Sequence, residues 1–223
     1  MTACDWQPGR GSTPPTALDA VLALLDEDAQ FCACHPGTQI YSPKNRTGYW
    51  YHLTSGAAKR LAVGSSGSVQ IVDFVLPGDW FGLSVRVMHE FSIEVIAPDT
   101  VITRYPYRLL YKALANDPRA RGQLMRAAFQ AATRVQWHHE ILGLKLAARV
   151  AATVLDLRRR CSSGGAAITL PMSIDDIANY LLLKADAVHA VVRMWEAIGV
   201  VSTTTNQGIR ILEPDRLGAG DTG

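Results

Sequence analysis

Two groups of residues in this sequence have the types and spacing to do chemistry. In the first, near the C-terminus, Lys184, Asp186, His189 and Arg193 recur at intervals that a helix brings to one face. Lys and Arg neutralise phosphates or reach base edges, and a carboxylate such as Asp186 accepts a hydrogen bond from a cytosine amino group. That is the chemistry of a nucleic-acid surface; the competing reading is a solvated helix face. The second group is Cys32-Ala33-Cys34-His35. It lacks a second pair at zinc spacing, and no metal site is assigned to it. Alternation along a strand puts Cys32 and Cys34 on one face, as small apolar fillers or as a redox pair. With Cys4 and Cys161 there are four cysteines, and disulfides are not expected in a reducing compartment. No Ser-His-Asp or paired-carboxylate constellation stands out, and Gly64-Ser65-Ser66-Gly67 lacks the Lys and following helix of a phosphate loop. The chain is not read as an enzyme.

The first group needs a helix to hold it, and the surrounding residues supply one. Residues 173–181 form a short helix with Ser173 as its cap and Asp175 and Asp176 in the first turn, where the helix dipole favours acids. A second helix runs over about 184–198 and stops at Gly199. Ile177, Ala178, Leu183, Val188, Val192 and Trp195 face inward between the two. Residues 200–212 read as two strands around Asn206-Gln207-Gly208, a β-hairpin wing. Helix, turn, helix and wing make a winged helix-turn-helix whose second helix enters the DNA major groove. Ser173, Lys184, Asp186, His189 and Arg193 are the candidate DNA contacts.

Ahead of this block, residues 31–107 carry short apolar runs, such as 49–53 and 69–76, separated by turn signals every 8–12 residues or so, the pattern of a β barrel or sandwich. Leu18, Val21, Leu22 and Leu25 place a short helix over 17–28. Asp117-Pro118 opens a long helix. In it Met125, Ala128, Ala132, Val135, His139 and Leu142 recur at alternating steps of three and four, a heptad seam. The seam favours a two-fold dimer over a core helix packed on its own β domain. His139 there is read as an interface histidine. A further helix over 145–160 has the apolar stripe Leu146, Val150, Val154 and Leu157. The expected organisation is a flexible arm at 1–16, a β-roll domain at 17–116, the dimerisation helix at 117–144 and the DNA-binding domain at 145–223.

Composition agrees and narrows the compartment. The 223 residues are 48% hydrophobic, enough to bury a core without disulfide or metal staples. A net charge of +2 singles out no partner, so any DNA contact relies on a local patch. No run approaches the roughly 18 apolar residues of a membrane span, and the first 15 residues lack the charged start and apolar middle of a secretory signal. The expected location is the cytoplasm, with no membrane partner.

From about 29 to 212 the chain resembles the CRP/FNR superfamily of bacterial transcription regulators, most of all its FNR/FixK branch. The carriers are Gly48-Tyr49-Trp50-Tyr51-His52-Leu53-Thr54-Ser55-Gly56, then Phe74-Val75-Leu76-Pro77-Gly78-Asp79-Trp80-Phe81-Gly82-Leu83, then His89-Glu90-Phe91-Ser92, and residues 170–181. The resemblance implies an α+β fold: an N-terminal cyclic-nucleotide-binding-like β-roll, a long dimerisation helix and a C-terminal winged helix-turn-helix. It also implies a homodimer on a two-fold-symmetric site in double-stranded DNA, recruiting RNA polymerase.

Departures from the family pattern bear on the signal. Cyclic-nucleotide binders place Glu after the Gly of the phosphate cassette and an Arg-Ser or Arg-Thr pair later; here Leu83 follows Gly82, and the later pair is Phe91-Ser92. The family's iron–sulfur sensors cluster cysteines before the roll, where this chain has only Cys4. No cofactor is predicted. Haem stays open through His35, His52 or His89, with no motif to choose among them. The branch's Glu, Ser and Arg of the recognition helix match Asp186, His189 and Ala190. Losing a bidentate Arg removes about 1–3 kcal/mol of base discrimination, so a different operator is expected. Leu182 stands where the turn usually has Gly and must accept positive φ or force another turn. The reading is a homodimeric FNR/FixK-type regulator, redox or haem responsive. The alternative is a degenerate interaction protein that dimerises with or titrates a related regulator.

Overall fold

Trp50 and Tyr51 are neighbours on one strand yet join different cores, because successive strand side chains point to opposite faces. The computed structural model describes residues 4–9, 28–82, 87–161, 168–204 and 208–217, apart from the side chains of 112 and 113. The helix expected over 17–28 lies outside these residues except for its last. Two compact units result, 1–134 and 135–223, and the division falls within one helix.

The first unit is built on two antiparallel sheets. One has the order β1 (Gln7–Pro8), β2 (Gln30–Cys34), β9 (Thr100–Pro106), β4 (Tyr49–Ser55), β7 (Trp80–Phe81). The other runs β3 (Gln39–Tyr41), β8 (Ser92–Val95), β5 (Ala58–Val63), β6 (Val69–Val75). Tyr51, Leu53, Phe81 and Ile102 fill the space between the sheets with Ile93 and Val95. Trp50 and Tyr105 face the other way, onto Leu110 of α1 (Tyr107–Asn116) and Ala120 of α2 (Pro118–Leu142). β4 is therefore covered on both sides, and its five central residues are buried. Helix α1 was not foreseen from the sequence, whose turn-rich stretch was read as ending near 107.

Two glycines at positive φ shape the Pro77–Gly82 turn. Gly78 holds φ 91° while the Asp79 carboxylate accepts the Leu76 amide at 2.9 Å. Gly82 holds φ 85°, and a Cβ there would stand 2.6 Å from the Tyr51 ring. The Tyr107 hydroxyl donates to the Gly82 carbonyl at 2.9 Å, tying this turn to α1.

Asp117 caps α2 as the sequence suggested: its carboxylate accepts the amides of Arg119 and Ala120. The second unit then adds α3 (Leu146–Cys161), β10 (Ile168–Ser173), α4 (Ile174–Tyr180), α5 (Ala185–Ala197), β11 (Val201–Thr203), β12 (Gly208–Ile211) and α6 (Pro214–Leu217). Of the stripe assigned to α3, Val150, Val154 and Leu157 are buried, whereas Leu146 is exposed at the first turn. Strands β10, β12 and β11 form one antiparallel sheet. The hairpin pairs Val201 with Ile211 and Thr203 with Ile209; its tip at 205–207 lies outside the described residues. The fold is α+β, with a β-roll, a long helix and a C-terminal winged helix-turn-helix. No described helix is long and apolar enough to cross a membrane.

Candidate nucleic-acid interface

The helix pair starts from a reciprocal cap. The Ser173 hydroxyl accepts the Asp176 amide at 3.0 Å, and the Asp176 carboxylate accepts the Ser173 amide. The Ser173 hydroxyl thus already serves α4. At the other end Leu181 closes the helix, and Leu182 takes φ 58° with its side chain exposed. Of the two outcomes open at this position, the chain adopts positive φ without glycine. The amides of Leu182 and Leu183 bond back to Asn179 and Ala178. The Arg149 guanidinium donates to the carbonyls of Leu142, Leu144 and Leu181, bracing the same turn from α3.

Helix α5 then packs on α4. Ile177, Ala178, Val188, Val192 and Trp195 are buried as expected, Leu183 is half-buried, and Val191 joins the core. Lys184 is the N-cap residue and makes no side-chain cap bond; the Ala187 amide turns instead to the Lys184 carbonyl at 3.1 Å. Lys184, Asp186 and Arg193 are exposed. His189 is half-buried, and its Nε2 stands 2.9 Å from the Asp175 carboxylate on α4. The C-terminal end of α5 is tied to the wing: the Glu196 carboxylate accepts both the amide and the hydroxyl of Thr203, which hold its pKa below the usual carboxylate range. Gly199 takes φ 72° just past the helix. One face of α5 and the first turn of the helix thus present two cations, a carboxylate and an imidazole.

The long helix reaches this assembly through a residue that sequence reasoning missed. His138 of α2 lies on the Tyr180 ring of α4 with centroids 4.1 Å apart, and burial lowers its pKa. Its neighbour His139 stands on the seam and contacts the Val135 carbonyl at 2.9 Å. Met125, Ala128, Ala132, Val135 and His139 are exposed, with Leu142 half-buried. On the same helix Ala120, Leu124 and Ala127 pack against the roll. Phe129, absent from the seam read in the sequence, is 66% exposed beside it.

In the roll, Cys32 and Cys34 do share a buried face of β2. The structure adds Cys4, whose sulfur lies within 4.8 Å of both. Hydrogen bonding from the Cys34 thiol pulls the Cys4 pKa down to about 7, helped by the Arg104 charge; the same bond pushes Cys34 up, and burial raises Cys32. A cavity of about 320 Å³ lies against the Gly82 turn, lined by Tyr41, Arg60, Trp80, His89, Phe91 and, from α2, Ala128. His89 stacks on Tyr41 at 3.7 Å, and His52, fully buried, stacks on Trp80 at 4.4 Å. His35 is exposed.

Comparison with known proteins agrees with this geometry. A family model for the Crp-like helix-turn-helix domain matches residues 148–219. The chain is 31% identical over 183 residues to the nitrogen fixation regulation protein FixK of Rhizobium meliloti, covering 82% of each. It is 32% identical over 201 residues to the FixK protein of Azorhizobium caulinodans, covering 88% of this chain and 79% of that one. The solved structure of FixK2 from Bradyrhizobium japonicum superposes with a TM-score of 0.77 at 27% identity, over 87% of this chain and 98% of that one. The chain belongs to the CRP/FNR family of transcription regulators, near its FixK members.

Proposed function

We propose that the protein is a homodimeric regulator that reads a two-fold-symmetric site in double-stranded DNA and recruits RNA polymerase in the cytoplasm. The observation that carries this is the face of α5, where Lys184, Asp186 and Arg193 stand exposed on a helix buried by its other side. Ser173, Lys184 and Arg193 bind phosphates or guanine edges, and Asp186 and His189 read bases. The exposed seam of α2 supplies the second copy: Met125, Ala128, Ala132, Val135, His139 and Leu142 pair with their counterparts, and two recognition helices then meet successive major grooves. Footprinting across the genome with the purified protein tests this. Discrete palindromic footprints are expected; a confirmed dimer that retains no sequence at moderate salt overturns it.

Cyclic nucleotides are not the signal in this reading, since Phe91 faces the cavity where the family's binders place a phosphate-holding Arg. No histidine is assigned as a haem ligand in this reading. Sensing falls to the thiols. A thiolate attacks peroxide to give a sulfenic acid and hydroxide, and a second thiol condenses with it to a disulfide, releasing water. Peroxide should change DNA affinity, and a Cys32→Ser, Cys34→Ser protein should not respond; equal response in both overturns the assignment.

A second reading, a partner that titrates a related regulator, is favoured by one observation: His189, on the reading face, is already engaged by Asp175. Co-purification of a heterodimer without any footprint supports it.

A further inference from the structure

Three sulfurs from two separate parts of the chain converge in the first unit. Cys32 and Cys34 come from the same face of β2, both nearly fully buried. Cys4 arrives from the N-terminal segment, which several contacts hold in place. β1 pairs with β2 through Gln7 and Phe31, and the Gly9 amide donates to the Ala29 carbonyl at 2.8 Å. The Arg104 guanidinium lies 4.2 Å from the ring centres of both Trp6 and Tyr49, and it is fixed there by two hydrogen bonds to Gln30. Cys4 and Trp6 both pack against the core between the sheets.

We propose that Cys4, Cys32 and Cys34 form a three-sulfur site for one thiophilic divalent cation of the zinc type. All three Sγ atoms lie within 4.8 Å of one another. A cation with metal–sulfur bonds of about 2.3 Å sets its sulfurs roughly 3.8 Å apart, so a small closure of the triangle satisfies one ion. Among the described residues the group consists of the three cysteines alone. An all-sulfur donor set selects soft or borderline ions over magnesium or calcium. Charge points to the divalent state: three thiolates and one divalent cation leave a single negative charge, and Arg104 supplies the matching positive one nearby. The fourth position opens on the side of Cys4, the one half-exposed member, where a water completes the tetrahedron.

Binding at this site fastens the N-terminal segment to the roll, because one ligand lies on that segment and two on β2. Metal occupancy therefore favours the docked segment by mass action, and its loss weakens the docking. The proposal deepens the thiol assignment made above, and its readout needs no DNA.

The test uses the full-length reduced protein and zinc in competition with a chromophoric chelator, then cobalt in place of zinc. One ion per chain is expected, with a sulfur-to-cobalt charge-transfer band of an intensity that corresponds to three thiolates. Cys4→Ser leaves the buried pair in place and should weaken zinc binding at least tenfold. Cys161→Ser, in the other unit, should leave it unchanged. Zinc should also slow alkylation of three of the four thiols. Zinc binding weaker than micromolar, or equal in wild type and Cys4→Ser, overturns the site. A protein that binds no zinc but still loses DNA affinity with peroxide retains the redox assignment and overturns only the metal site.

Discussion

His189 on α5 and Asp175 on α4 face each other across the helix-turn-helix, Nε2 to carboxylate oxygen, at 2.9 Å. Both side chains reach solvent, so the pair adds little stability, about 0–1 kcal/mol. Its effect is on the surface: a negative charge is held beside the imidazole that would meet DNA. Asp175→Asn removes that charge and releases the ring. Affinity for DNA is expected to rise about two- to fivefold in an anisotropy titration at fixed salt, with thermal stability nearly unchanged. Unchanged affinity would mean that this edge of α5 does not meet the duplex.

Lys184 stands at the uncapped start of α5, a position suited to phosphate rather than base. Lys184→Ala should weaken binding to specific and random DNA by similar factors and lower the salt slope by about one. Arg193→Ala discriminates between roles: a loss confined to the specific site marks a base contact, whereas a uniform loss marks a phosphate contact.

The helix-turn-helix was legible because its signals are local. Ser173 and Asp176 stand three apart in sequence and close one cap; Gly199 ends a helix by its own φ. Strand alternation likewise put Cys32 and Cys34 on one face. What escaped depends on contacts between distant segments. Cys4 is 28 residues from Cys32, and the pairing of Gln7 and Pro8 with Phe31 and Gln30 brings it there. His138 carries no local signal, and its partner Tyr180 lies on another helix. Helix α1 was hidden because it starts at Tyr107 directly after Pro106, the last residue of β9, with no loop between strand and helix.

Leu182 offers a test of strain in the turn. At φ 58° an L-residue costs about 1–2 kcal/mol that glycine does not, and its side chain is 62% exposed, so truncation loses little packing. Glycine's extra freedom in the unfolded chain offsets part of the gain. Leu182→Gly should stabilise the second unit by about 0.5–1 kcal/mol, seen as a rise of roughly 2–8 °C in melting temperature. A fall in melting temperature would show that the exposed leucine packs in a way the turn requires.

Burial lowers the pKa of His52 to about 4 from 6.5, because its ring lies in the core against Trp80. The unfolded chain therefore binds a proton that the folded chain refuses between those values. Stability is full above pH 6.5 and falls as pH drops towards 4, by about 2–4 kcal/mol in all. Burial lowers His89 in the same direction. Urea midpoints measured from pH 7 to 4.5 should fall, and His52→Leu should flatten that slope whatever it does to stability at pH 7. An equal slope in the variant would assign the acid sensitivity to other groups.

The seam of α2 carries a sharper consequence. Val135 is 57% exposed and Phe129 66%, although Leu124 and Ala127 of the same helix pack against the roll. A chain that left these apolar side chains in water would gain from burying them, at about 25 cal/mol for each Å² covered. In a pair of α2 helices, Ala128 and Ala132 let the axes approach closely, Val135 packs within the seam and Phe129 fills its flank. Phe129→Asp or Val135→Asp puts an unpaired charge into that contact. Sedimentation velocity at micromolar concentration should give a dimer for the wild type and a monomer for either variant, with the β-roll still folded by circular dichroism. Binding to a palindromic site should drop at least a hundredfold, while binding to a single half-site stays within a few-fold, since α5 and the wing are untouched. A variant that remains dimeric would place the partner copy on another surface. A monomeric wild type would remove the basis for reading a two-fold-symmetric site.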